Sequence, residues 1–228
     1  MPGLDLTALR RELAAAGDPE KARAQQRYMK SELPYFGIAA PQLKALLRPH
    51  LALYSPGDRG EWEADVRRLW DGATHREEWY VALALARHRA ARPWQDPDAL
   101  DLYRHLIVTG AWWDVVDEIA SHLVGGVLAG HRAATTPVLR GWATDVDLWL
   151  RRTAVLSQLR HKGETDLDLL TYAVDHNAAD RSFWLRKAIG WALREHARTD
   201  PDWVRAFVAE RAETLSPLTQ REALRHLL

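Results

Sequence analysis

The sequence predicts an all-α fold, a curved superhelical solenoid of stacked antiparallel helix pairs, on three observations. Strand signals are almost absent from the chain. Trp79, Trp113, Trp149 and Trp184 recur at intervals of 34, 36 and 35 residues, and each opens an apolar, helix-periodic segment: EEWYVALALARH, AWWDVVDEIASHL, DLWLRRTAVLSQL and SFWLRKAIGWALRE. A fixed period of this size marks stacked helical pairs, because no unit buries its apolar face alone and neighbours together complete one continuous core. Helix starts are also legible. Asp18-Pro19, Asp96-Pro97, Asp200-Pro201 and Ser216-Pro217 each place a capping side chain before a proline suited to the first helical turn.

Taken along the chain, these signals place helices at 5–16, 19–31, 41–53 and 60–71, the fourth following a loop from Tyr54 to Arg59 in which Ser55, Pro56 and Gly57 break the helical period. The segment 75–90 carries Trp79, 97–109 opens at the second Asp-Pro pair, and 112–124 carries Trp113. Gly125-Gly126 and Gly130 are expected to form a flexible corner before a helix at 131–143. Helices at 147–160, 166–177, 182–198, 201–212 and 217–227 complete the array. No stretch reads as an interdomain linker, so one domain over 1–228 is expected.

The composition narrows the function. With 228 residues, 47% of them hydrophobic, the chain can bury a substantial core. Zero cysteines exclude disulfides, thiolate zinc sites, cysteine-ligated clusters and cysteine nucleophiles. The N-terminus lacks a basic region followed by an apolar stretch, and no apolar run is of membrane-spanning length, so a cytoplasmic protein is expected. Acidic and basic side chains balance at 31 each, but unevenly: residues 61–147 carry 9 basic against 14 acidic groups, while Arg181, Arg186, Lys187, Arg194 and Arg198 face only Glu195 within 181–198. A local basic stripe on a neutral protein can still bind phosphate, since a ligand feels the field within about 8–10 Å at moderate salt. A solvated helix face is the alternative.

Two groups of residues can do chemistry. Trp113 and Asp117 stand one turn apart on one face of the same helix, and an aspartate there must reach solvent, an arginine or a ligand. Arg152 is the candidate to pair with it or orient it, and a purely structural Asp–Arg brace is the competing reading. On the helix 182–198, Phe183, Lys187, Trp191 and Arg194 form one stripe of rings and cations, with Trp184 on the adjacent one. Such interleaving suits nucleic acid, where cations hold phosphates and rings pack on bases or sugars; tryptophans at this spacing also suit a core.

WWDVVD at 112–117, WLRRTAVLSQL at 149–159 and FWLRKAIGWALREHART at 183–199 resemble the AlkD-type family of DNA alkylation repair glycosylases. Tyr28-Met29-Lys30, Phe36-Gly37-Ile38, Pro41 and SPLTQREALRHL near the C-terminus extend the resemblance, in consistent order, over roughly 28–228. It implies HEAT-like repeats that cradle duplex DNA and hydrolyse the N-glycosidic bond of cationic alkylpurines such as 7-methylguanine and 3-methyladenine; a monomer, the default for a repeat array whose concave side admits DNA, with no cofactor or metal, is expected. It implies functional roles for Trp113, Asp117, Arg152 and Trp191; on their chemistry Asp117 is expected to stabilise the sugar's positive charge and, second, to position or deprotonate the attacking water, Arg152 to contact a phosphate and steady Asp117 as well, and Lys187, Arg194, Phe183 and Trp184 to add DNA contacts.

Those residue types fit the reaction. Alkylation puts a positive charge on the base, which then leaves neutral and needs no acid. Positive charge instead develops on the deoxyribose, where a fixed carboxylate stabilises the transition state more than the ground state. Indole faces attract the cationic nucleotide, at about 0.5–2 kcal/mol per contact. Two other classes compete: a non-catalytic helical-repeat scaffold that binds DNA structures or protein, and a metal hydrolase. The second is weakened because the ten histidines show no ligand spacing.

Overall fold

Short side chains that cap helices set the architecture. Asp5, Asp18, Asp58, Asp96, Asp147, Asp166, Ser182, Asp200 and Ser216 each accept a backbone N–H from the first turn that follows, at nine separate helix starts. The computed structural model describes residues 5–227, and among these every regular element is helical. No helix among them is long and apolar enough to cross a membrane. The chain divides into two compact units, Met1–Trp94 and Gln95–Leu228.

The first unit contains α1 (Leu6–Ala16), α2 (Pro19–Met29), α3 (Ala40–Leu53), α4 (Arg59–Asp71) and α5 (Arg76–Ala86), closed by a 3-10 turn at Arg89–Trp94. Trp62 and Trp70 are core, and Trp79 and Trp94 pack on them half-buried. Trp62 is fully buried, stacks on Trp94 and donates its indole N–H to the Leu85 carbonyl; Trp70 stacks on Trp79 with ring centroids 4.6 Å apart. The helix expected at 75–90 ends at Ala86, and Pro93 lies inside the 3-10 turn that replaces its last part.

The second unit contains α6 (Leu100–Gly110), α7 (Trp113–Glu118), a π-helical segment (Ile119–Val124), α8 (Gly125–Gly130), α9 (Arg132–Ala143), α10 (Leu148–Leu156), α11 (Leu167–Asp175), α12 (Phe183–His196), α13 (Pro201–Glu210) and α14 (Pro217–Leu224). Here α10 packs against α9, α12 and the π-helical segment, so Trp149, Leu150 and Arg152–Leu156 are all buried.

The glycines that were expected to form a corner are helical instead. A Cβ on Gly125 would lie 2.4 Å from the Ser157 carbonyl oxygen, so the residue is small because two backbones meet there. Gly190 plays the same part between α12 and α14: a Cβ there would lie 2.5 Å from Cβ of Glu222.

Candidate active site

Trp112 and Trp113 sit side by side at the start of α7 and do different things. Trp112 packs with Trp149 and Trp184 at ring-centroid distances of 6.1 and 5.3 Å, and those two rings are 5.7 Å apart. This three-ring cluster ties together the first turns of α7, α10 and α12. The tryptophan that packs with its counterparts is therefore Trp112, not the Trp113 of the 34–36-residue spacing. Trp113 lines a concavity of about 500 Å³, whose wall also includes Asp117 and Trp191. The two indoles and the carboxylate picked out from sequence thus share one surface, although α7 and α12 lie some seventy residues apart in the chain.

Asp117 is held in place from behind. Arg152 donates from Nε to Asp117 Oδ1 at 2.7 Å and from Nη2 to Oδ2 at 2.8 Å, a bidentate pair, while its Nη1 donates to the Trp184 carbonyl. The guanidinium is thereby fixed to two helices, α7 and α12, from its place on α10. Burial pushes the Asp117 carboxyl above the usual aspartate range; the Arg152 hydrogen bonds and charge pull the other way, and Asp114 adds to the rise.

The π-helical segment decides what else reaches the concavity. Its wider turn brings residues five apart onto one face, so His122 lines the same wall as Asp117, beside Ser121. Ser121 Oγ donates to the Asp117 carbonyl at 2.7 Å, and so competes for an acceptor of the helical ladder where the helix widens. Asp114, Glu118 and Glu195 join Asp117 around the concavity, against Arg160 and Lys162. Four carboxylates against two cations favour a positively charged ligand. Sequence reading missed these flanking residues. Asp114 and Glu118 were discoverable as neighbours of Trp113 and Asp117, but the π-helical widening had no sequence signal.

The expected DNA-contacting residues fall into four situations. Arg152 is 4% exposed with Nε, Nη1 and Nη2 all donating within the protein. The pairing with Asp117 that the sequence offered for Arg152 is present, and it places the guanidinium behind the carboxylate. Lys187 and Arg194 both pair with Glu222 of α14, Lys187 Nζ at 2.9 Å from Oε1 and Arg194 through Nη1 to Oε2. They share one counter-charge instead of presenting two unopposed cations. Trp184 belongs to the three-ring cluster, whereas Phe183, edge-on to it at 5.3 Å, is 54% exposed. Among the described residues, no group of three or more His, Cys, Asp or Glu side chains is arranged to hold a metal ion.

Residues 9–227 match a family model described as DNA alkylation repair enzyme. In three dimensions the chain is similar to a structure described as a predicted DNA alkylation repair enzyme from Enterococcus faecalis, with 30% sequence identity and a TM-score of 0.84 over 92% of this chain and 96% of that one. No curated protein matches the sequence.

Proposed function

Because the chain belongs to the DNA alkylation repair enzyme family, we propose that it is a monofunctional DNA glycosylase that releases cationic alkylpurines, such as 7-methylguanine and 3-methyladenine, from duplex DNA. The observation that carries this reading is the meeting of Trp113, Asp117 and Trp191 on one acidic concavity. A cationic nucleotide there faces two indole rings and a carboxylate. As the glycosidic bond lengthens, its electron pair moves to the base, which leaves neutral, and the deoxyribose becomes positive. A carboxylate about 4 Å from that charge, at an effective dielectric of about 20, contributes roughly 4 kcal/mol. This corresponds to about a thousandfold in rate.

Arg152 serves this step by holding both Asp117 oxygens, so that the negative charge is already oriented before the sugar changes. Undamaged purines gain little from the rings or the carboxylate and keep a poor leaving group, which makes them poor substrates. The protein in this reading acts as a monomer, in the cytoplasm and without a cofactor. The test is base release from a duplex carrying one 7-methylguanine. Wild-type protein should release the free base and Asp117→Asn should not; no release by the wild type at any concentration would favour the non-catalytic scaffold.

A further inference from the structure

We propose that His196 is a proton-sensitive latch at the end of α12: neutral, it closes the corner where α12 meets α13 and the turn at 162–165, and on taking up a proton it opens that corner behind the concavity. The inference stands apart from the glycosylase reading, because it concerns packing and not chemistry on DNA. His196 is the last residue of α12 and is 8% exposed. Among the described residues neither its Nδ1 nor its Nε2 finds a hydrogen-bond partner. A neutral imidazole leaves one donor and one acceptor unmet there, whereas an imidazolium leaves two donors and a full charge. The ring stands edge-on to Trp203 of α13 with centroids 5.3 Å apart, and with Val155, Leu159 and Leu170 it lines a cavity of about 20 Å³. That space holds about one water, enough for a neutral ring and too little to solvate a charged one.

None of the charged groups that face the ring bonds to it. On α12, Glu195 is paired with Arg198 at 3.1 Å. The turn at 162–165 contributes Lys162, a like charge to an imidazolium. At the start of α13, Asp200 spends Oδ1 on the Trp203 N–H at 2.9 Å. Gln158 and Thr165, which also line the cavity, are neutral. Burial holds the imidazole below its ordinary range, and the Asp200 charge opposes this. The unfolded chain therefore binds this proton more readily than the folded one. The stability that neutral His196 contributes is complete above the ordinary 6.5 and is lost as pH falls through the lowered value. The position of the ring carries that loss outward. Its carbonyl accepts from the Thr199 N–H at 2.8 Å and the Asp200 N–H at 3.0 Å, so the link to α13 hangs on it. Leu159, Lys162 and Glu195 line both this cavity and the concavity that holds Asp117.

The experiment is thermal unfolding and backbone hydrogen exchange of the whole chain from about pH 8 to about pH 5, the span in which an imidazole changes charge. Wild type, His196→Phe and His196→Gln are compared, and the wild-type ring is followed by nuclear magnetic resonance. The ring should titrate below 6.5, and exchange protection at 193–204 should drop with it. In acid the wild type should lose about 3–5 °C more in melting temperature than either variant for each tenfold by which folding weakens the ring's hold on its proton. His196→Phe keeps a flat ring that takes no proton, and His196→Gln keeps the comparison alive if that variant does not fold. A ring that titrates at or above 6.5, protection at 193–204 that is lost while the ring is still neutral, or equal acid slopes in the wild type and the folded variants would each overturn the latch. None of these outcomes involves base release, so the glycosylase reading stands or falls separately.

Discussion

Each unit of the molecule buries a carboxylate, and the two are held in opposite ways. Glu77 in the first unit is 1% exposed, and its oxygens accept backbone N–H groups from Phe36 at 3.0 Å, Gly37 at 3.0 Å and Ile38 at 3.2 Å. It pins a loop to α5, and every one of its partners is main chain. Asp117 in the second unit, its side chain 13% exposed, instead takes its hydrogen bonds from the Arg152 side chain and lines a concavity. Backbone donors cannot leave without unmaking the loop, so Glu77 serves structure. A carboxylate fixed from behind by a guanidinium keeps a face for chemistry, and that difference separates the two where burial alone does not.

The comparison can be broken in several ways. The largest expected effect is Asp117→Asn, which should reduce alkylpurine release by about a thousandfold if the carboxylate acts through its charge; equal rates in a single-turnover assay would place Asp117 with Glu77 as structural. Glu77→Ala should do the reverse. It strands three donors at about 1–3 kcal/mol each, enough to lower the melting temperature by about 6 °C or more in calorimetry, with release per folded molecule unchanged.

Titration sharpens the contrast further. Because burial raises the Asp117 carboxyl, the folded protein holds that proton more tightly than the unfolded chain. Its ionisation therefore costs stability as pH rises from the ordinary 3.8 through the raised value, and base release should fail, on acidification, at a pH above the usual aspartate range. Glu222 has the opposite sign. Lys187, then Arg194, hold its carboxyl below the ordinary 4.5, so its stabilisation is present above that value and is lost as pH falls through the lowered one. Melting temperature against pH should consequently fall less steeply in acid for Glu222→Gln than for the wild type.

The smallest effect is also on DNA. Glu222→Gln removes the shared counter-charge of Lys187 and Arg194, and should strengthen duplex binding a few-fold while steepening its logarithmic salt dependence by up to about 2. An unchanged slope would remove both cations from the DNA-contacting set.

Much of this was readable in the chain. Aspartate and serine caps before proline placed helix starts to within a residue or two at Pro19, Pro201 and Pro217, because a cap and a missing N–H are local properties. The pairing of Trp113 with Asp117 followed from a single helical turn. What escaped depends on contacts between distant segments. Trp112 and Trp113 are the same residue type in adjacent positions, and only the rings of Trp149 and Trp184 decide which of them packs inward. Arg152 had two partners on offer by sequence, phosphate and Asp117, and its bond to the second depends on how α10 packs against α7. Glu222 reaches Lys187 and Arg194 because Gly190 lets α14 close onto α12, a proximity with no local signature.

The excess of carboxylates around the concavity also bears on turnover. A wall with four acidic and two basic side chains attracts a ligand only while that ligand is positive. In the proposed reaction the excised purine departs without its charge, so the surface that draws the lesion in loses its hold at the moment of cleavage. In that reading the free base is left at a wall that no longer attracts it.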